Sequence, residues 1–291
     1  MFPIIQKFIT TPDKIRIGYQ IFGRGKKTII LCNGLGGNYF TWKPLYEEFA
    51  DEYRFLTWDY RGLYTSGVPA DPALLSIPHQ AQDLQRIMKA EKITKGIIGG
   101  WSMGVQVALE FYRLYPKKVG ALFLLNGTPG APFKTALNLP LGEVILPRLN
   151  RLAQYVMPSI QTRMKPLALQ AIRWKGFVDM AARIGLVHPN LNREIFEEVA
   201  QGIINSDLEI YHQLFAHMGE HDARDILSTI EVPTLIIAGE KDVLTPPRAS
   251  QYMADKIDNS QLFLVPQGTH YSLIEFPDLI TLRLGQFLSE H

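Results

Sequence analysis

Short apolar runs bounded by turn residues recur along the chain and alternate with longer stretches of helix-compatible patterning. Runs at residues 15–22, 28–32, 54–58, 96–98, 119–125, 234–238 and 261–265 predict strands. Strands alternating with helices predict an α/β fold: a mostly parallel central sheet flanked by helices. The runs Thr28-Ile29-Ile30-Leu31-Cys32 and Thr234-Leu235-Ile236-Ile237-Ala238 are almost unbroken apolar sequence, which suits strands covered on both faces. Both are therefore expected in the centre of the sheet.

The strand rhythm stops between about Pro129 and Arg224. This stretch reads as helices, with Pro140, Pro147, Pro158, Pro166 and Pro189 expected to end or kink them. It is expected to be a helical cap inserted into the core, dividing the chain into 1–128 (core, first part), 129–224 (cap) and 225–291 (core, second part). No internal repeat or low-complexity tract interrupts this organisation.

The strand at 96–98 runs through Gly99-Gly100-Trp101-Ser102-Met103-Gly104 into the helix-compatible Val105-Gln106-Val107-Ala108-Leu109. A serine on a sharp strand-to-helix turn needs a strained backbone, and glycines two residues to either side leave room for it. The helix N-terminus then favours negative charge at that point. Alone, G-x-S-x-G is weak, arising by chance in a chain of this length about one time in ten. Its weight comes from two residues later in the chain, in the right order: Asp242 after the run 234–238, and His270 after the run ending at Val265. In a parallel sheet the carboxyl ends of the strands share one edge, so Ser102, Asp242 and His270 are expected to converge there as nucleophile, acid and base. A serine hydroxyl attacks only when an imidazole takes its proton, and a carboxylate behind the imidazole fixes its tautomer.

Asn33-Gly34-Leu35-Gly36-Gly37 comes directly after the strand ending at Cys32 and is expected to supply the oxyanion site, with the N–H of Leu35 joining that of Met103. A phosphate loop is the competing reading. No Lys followed by Ser or Thr completes one, and the dinucleotide-binding glycine spacing is missing. Gly34, Trp101 and Tyr271 are expected to touch the substrate.

Through these segments, and through Asp59-Tyr60-Arg61-Gly62, the chain resembles the α/β-hydrolase fold superfamily over nearly its full length, in its serine esterase and lipase-like branch. The resemblance implies an eight-stranded core, a cap after the sixth strand, no cofactor, and acyl-enzyme chemistry on an ester or related bond. It also implies that Asp59-Tyr60-Arg61-Gly62 is a structural turn, so Asp59 and Arg61 are given no catalytic role. Asn33 stands where many relatives carry His, and Val105 where a second glycine is frequent. Ser102 argues against the dehalogenase and epoxide hydrolase branches, which carry Asp there.

Other residues suggest different chemistry. His217-Met218-Gly219-Glu220-His221 matches the inverted zinc-protease pattern. However, Gly219 weakens a helix there and no third ligand is evident nearby, so solvated cap histidines are the expected reading and no metal is assigned. The single cysteine, Cys32, excludes an internal disulfide and reads as a small buried hydrophobe, and His79 reads as a helix-start residue. Phe133, Leu137, Leu139, Val144, Ile145, Leu146, Trp174 and Phe177 are candidates either to line an acyl channel or to glue the cap to the core.

With 46% hydrophobic residues in 291, the chain can bury a large core. Its formal net charge of +2 gives no field strong enough to hold nucleic acid or an anionic membrane. A small-molecule partner with an apolar acyl group is expected. No secretory signal or apolar run long enough for a membrane span is seen, and a cytoplasmic location is expected. The function expected is hydrolysis of a carboxylic ester. Lactone, amide or carbon–carbon bond cleavage on the same residues, and a non-catalytic ligand-binding protein of this fold, remain as alternatives.

Overall fold

The computed structural model describes residues 3–130 and 165–291, with Pro132, Ile145, Arg148, Leu149 and Leu152 between them. Eight strands form one sheet: β1 (Ile5–Thr10), β2 (Arg16–Gly23), β3 (Lys27–Cys32), β4 (Tyr53–Trp58), β5 (Gly96–Trp101), β6 (Val119–Leu125), β7 (Thr234–Gly239) and β8 (Ser260–Val265). Their order is β1-β2-β4-β3-β5-β6-β7-β8. The pairs β1–β2 and β2–β4 are antiparallel, and every other pair is parallel. This is the expected α/β fold, with the helical insertion falling between β6 and β7.

Helices cover both faces. On one face α1 (Lys43–Phe49) and α9 (Pro277–Glu290) bury Leu45, Phe49, Leu284 and Phe287. On the other, α2 (Ile77–Ala90), α3 (Met103–Leu114) and α7 (Pro247–Lys256) bury Leu84, Ile87, Leu109 and Met253. In the insertion lie a helical stretch over 165–173 and three further helices: α4 (Lys175–Arg183), α5 (Arg193–Asn205) and α6 (Leu208–Glu220). A one-turn helix, α8 (Ser272–Glu275), follows β8.

β3 takes the central place its apolar run predicts. β7 is equally buried but lies one strand in from the edge, because β8 and the helices on both faces cover it. β1 was not anticipated: it pairs only with β2 and is largely exposed, so burial does not impose an apolar run on it. Pro189 falls between α4 and α5, whereas Pro166 lies within the helical stretch 165–173. Pro140, Pro147 and Pro158 lie outside the described residues.

The turn at Asp59–Gly62 is structural. The buried Arg61 guanidinium reaches Asp83 (Nε to Oδ2, 2.6 Å; Nη2 to Oδ1, 2.9 Å) and Asp13 (Nη1 to Oδ2, 2.5 Å). Cys32 is fully buried, and burial pushes its thiol pKa far up.

Candidate active site

Ser102 follows β5 and caps α3 with φ +56° and ψ −118°, a backbone conformation that costs a non-glycine residue roughly 1–3 kcal/mol. The surroundings impose it. The Ser102 N–H donates to Leu125 O at 3.1 Å. A Cβ on Gly104 would lie 2.0 Å from Cys32 O, so α3 can start this close to β3 only with glycine there. Val105 is accommodated from the opposite side: its Cγ2 occupies space that a Cβ on Gly127 would enter at 2.3 Å. Gly127, two residues beyond β6, thus leaves room for the Val105 side chain.

The three residues expected to converge do so. His270 Nε2 lies 2.9 Å from Ser102 Oγ, and His270 Nδ1 lies 2.9 Å from Asp242 Oδ2. Asp242 is buried at the end of β7, where its Oδ1 accepts from the N–H groups of Leu244 and Thr245, both at 2.8 Å. Its Oδ2 accepts from Thr245 Oγ1 at 2.7 Å and Asn126 Nδ2 at 3.0 Å. Burial works to raise the Asp242 pKa, but the adjacent His270 and the donors on Thr245 outweigh it and hold the carboxyl below its ordinary value. An ionised carboxylate orients Nδ1–H toward itself, leaving Nε2 free to accept the Ser102 proton.

The His270 loop is fixed from behind. Trp101 Nε1 donates to His270 O at 3.0 Å. The buried Glu275 accepts from Thr269 N (2.8 Å), Thr269 Oγ1 (2.6 Å) and His188 N (2.8 Å), joining this loop to the insertion.

Asn33, in the place where relatives often carry His, points beneath the loop. It donates to Trp58 O at 2.9 Å and accepts from Trp42 Nε1 at 2.8 Å, while its carbonyl accepts from Tyr60 OH at 2.8 Å. The loop is thereby anchored without using a substrate-facing side chain. Met103 opens α3, so its N–H belongs to the helix-start donors that lack an intrahelical acceptor.

A cavity of about 230 Å³ opens on Ser102 and His270. Its core side is Leu35, Trp101, Met103, Leu244 and Tyr271. Val199 and Ile203 of α5, together with Tyr211, Phe215 and Met218 of α6, form the insertion side. Gln106, Thr128 and Thr245 add polar groups. Burial pushes the Tyr211 hydroxyl up to about 12 and that of Tyr271 higher still, so both rings stay uncharged at neutral pH.

Of the residues expected at the substrate, Trp101 and Tyr271 line the cavity. Gly34 does not: it packs under Trp101, where a Cβ would meet the ring at 2.6 Å. Among the channel candidates, Trp174 and Ile145 are exposed and Phe177 packs against the core, so none of these lines the cavity. Phe133, Leu137, Leu139, Val144 and Leu146 lie outside the described residues. Asn126, Thr245 and Glu275 were missed. Nothing in their sequence context sets them apart, because each acts through a contact distant in sequence or through a local turn.

His217 Nε2 lies 3.0 Å from Pro72 O, and His221 Nε2 lies 3.0 Å from Glu110 Oε2, so the two histidines face different partners. Among the described residues no group of three or more His, Cys, Asp or Glu is placed to hold a metal ion. His79 Nδ1 meets Ser76 Oγ at 2.8 Å in the first turn of α2.

A strand-loop-helix serine, an acid after β7 and a histidine after β8 define a hydrolase scaffold, and the family profile described as the alpha/beta hydrolase fold matches residues 27–277. The chain belongs to that family. It is 26% identical over 278 residues to a putative carbamate hydrolase RutD of Azorhizobium caulinodans, covering 94% of each chain. It is 24% identical to 3-oxoadipate enol-lactonase 2 of Acinetobacter baylyi, covering 92% of this chain and 91% of the other. The solved structure of a thermophilic esterase from Thermogutta terrifontis superposes with a TM-score of 0.72 at 23% identity, covering 99% and 98% of the two chains.

Proposed function

We propose that this protein is a serine hydrolase that cleaves a small or medium carboxylic ester through an acyl-enzyme on Ser102. The observation that carries this reading is the continuous contact from Asp242 Oδ2 through His270 to Ser102 Oγ, 2.9 Å at each step, opening on an apolar cavity. As Ser102 Oγ bonds to the carbonyl carbon, His270 Nε2 takes its proton. The tetrahedral oxyanion is held by the N–H groups of Leu35 and Met103. Collapse breaks the bond to the alcohol, which leaves with the proton from His270. Water then attacks the acyl-enzyme, giving its proton to His270, and the carboxylic acid is released as Ser102 recovers the proton.

Residues 129–224 act as a cap, with 1–128 and 225–291 as the core, since α5 and α6 wall the cavity opposite Ser102. The uncharged walls suit an apolar acyl group.

A second reading keeps the same three residues but takes a carbamate or a lactone. It is favoured by the relatives that carry those activities in their names. Labelling with a fluorophosphonate, with Ser102→Ala alongside, tests the nucleophile, and a panel of p-nitrophenyl esters, lactones and carbamates ranks the substrates. Labelling that persists in the variant overturns the assignment of Ser102. A wild type that neither labels nor turns over any of the panel, yet binds an apolar carboxylate, supports a binding protein instead.

A further inference from the structure

The near-neutral charge of the whole chain conceals a segregation. Residues 126–192 contain eight Lys and Arg against two Asp and Glu, while the remainder of the chain carries 22 against 26. Within this basic stretch, the described residues present large apolar side chains to solvent. Trp174 is 63% exposed, Leu167 57%, Ile184 66% and Met180 50%.

These side chains are organised. Leu167, Arg173 and Trp174 line one shallow groove. Met180 and Ile184 stand four residues apart, on the same side of α4 and its C-terminal cap, while Val178 and Ala181 are buried beneath. Arg173 and Arg183 are exposed within the same stretch. The one carboxylate between residues 167 and 184, Asp179, is paired with Arg193 at 2.5 Å. The outward side is therefore apolar and cationic, anchored to the protein by its inner side.

We propose that the exposed face of residues 167–184 docks on an anionic lipid bilayer. Trp174, Met180 and Ile184 enter the boundary between headgroups and acyl chains, and Arg173 and Arg183 meet the lipid phosphates. Charge decides for lipid over a second copy of the chain, because a two-fold contact through this face would set Arg173 and Arg183 against their own copies. Docking here is peripheral: among the described residues no helix is long and apolar enough to cross a membrane. The proposal does not depend on what Ser102 acts upon.

The test is co-sedimentation of the full chain with vesicles of phosphatidylcholine alone, and of phosphatidylcholine mixed with phosphatidylglycerol, at low and high salt. Wild type is expected to bind the mixed vesicles and to release at high salt. Arg173→Glu and Arg183→Glu should each weaken binding by about fivefold or more. Trp174→Glu combined with Ile184→Glu should weaken it by more than about tenfold. All four positions are exposed, so unchanged thermal melting and circular dichroism will show that the variants fold. Failure of wild type to bind the anionic vesicles, or equal binding by the folded apolar variant, overturns the proposal. So does a concentration-dependent dimer in sedimentation velocity that the apolar variant abolishes, since the face then belongs to a second copy.

Discussion

Asn126 donates its side-chain amide to Oδ2 of Asp242 at 3.0 Å, across 116 residues of sequence. The same amide also donates to Thr269 O at 3.0 Å, and its carbonyl accepts from Ser272 Oγ. Asn126 sits just past β6 with φ +44°, a conformation asparagine tolerates better than most residues, and its N–H is fixed on Ile237 O at 2.8 Å. One side chain therefore ties together the loops that carry the acid and the histidine.

In the proposed reaction Asn126 is a positioning residue, and its substitution should affect turnover more than substrate binding. Asn126→Ala is expected to lower kcat by about 10–100-fold with little change in KM, the effect of losing a buried bond worth roughly 1–3 kcal/mol. Asn126→Asp keeps the shape but adds a second carboxylate beside Asp242. Two carboxyls this close share one proton, so Asn126→Asp keeps a hydrogen bond to Asp242 at low pH and loses it as that proton leaves, and kcat should fall as pH rises. A purely structural role would lower the melting temperature and leave the profile where it was.

Asp242→Asn tests the other half of this relationship. The amide can present its N–H₂ to His270 Nδ1, which favours the tautomer with hydrogen on Nε2, where it cannot take the Ser102 proton. A fall in kcat of about 10³–10⁴-fold is expected, with fluorophosphonate labelling slowed in parallel. A loss of less than about tenfold would mean that His270 is oriented by Thr245, whose Oγ1 lies 3.2 Å from Nδ1.

Much of this arrangement was legible in the sequence because the physics that produces it is local. β3 and β7 are covered on both faces, and that burial writes an apolar run into each. Ser102 needs Gly100 and Gly104 beside it, since a Cβ at either would collide with backbone. The rest was illegible for definite reasons. β1 is an exposed edge strand, so its apolar positions carry little signal. The cavity wall from α5 and α6 uses Val199, Ile203, Tyr211 and Phe215, whose helical spacing would serve equally to pack a helix on a core. Trp174 is a candidate for that wall by sequence but stands in solvent instead. Asn126 and Glu275 matter through partners on other loops, which spacing along a chain does not reveal.

The glycine requirement at the Ser102 turn gives a third expectation. Gly104→Ala introduces a Cβ 2.0 Å from Cys32 O, against backbone that cannot rotate away. The variant should lose about 3 kcal/mol of stability in urea unfolding, as overpacking against a rigid neighbour costs. Its fluorophosphonate labelling should fall even under conditions where it remains folded, because α3 can relieve the clash only by carrying Ser102 away from His270. Full labelling in a folded variant would show that the turn has slack the geometry does not suggest.

The Asp13–Arg61 pair allows a pH test far from the cavity. Burial raises the Asp13 pKa, but the hydrogen bond from Arg61, together with those from Thr11 and the backbone and the Arg61 charge, outweighs it and brings the carboxyl down from 3.8 to about 2. A carboxyl with a lowered folded-state pKa contributes stability in full above its unfolded value, and that contribution disappears as pH falls through the folded one. The window is therefore about pH 4 down to about pH 2. Because the Asp13 side chain is 29% exposed, solvent screening leaves the contribution on the order of 1 kcal/mol. Asp13→Asn should be less stable than wild type by about that amount near neutral pH, and the two should converge near pH 2. Arg61 keeps its paired bonds to Asp83 in both proteins, so acid effects on that carboxylate cancel in the comparison. Urea unfolding of the two proteins at both ends of the window measures the gap. A gap that stays constant across it would mean that Asp13 contributes through packing and neutral hydrogen bonds rather than through its charge.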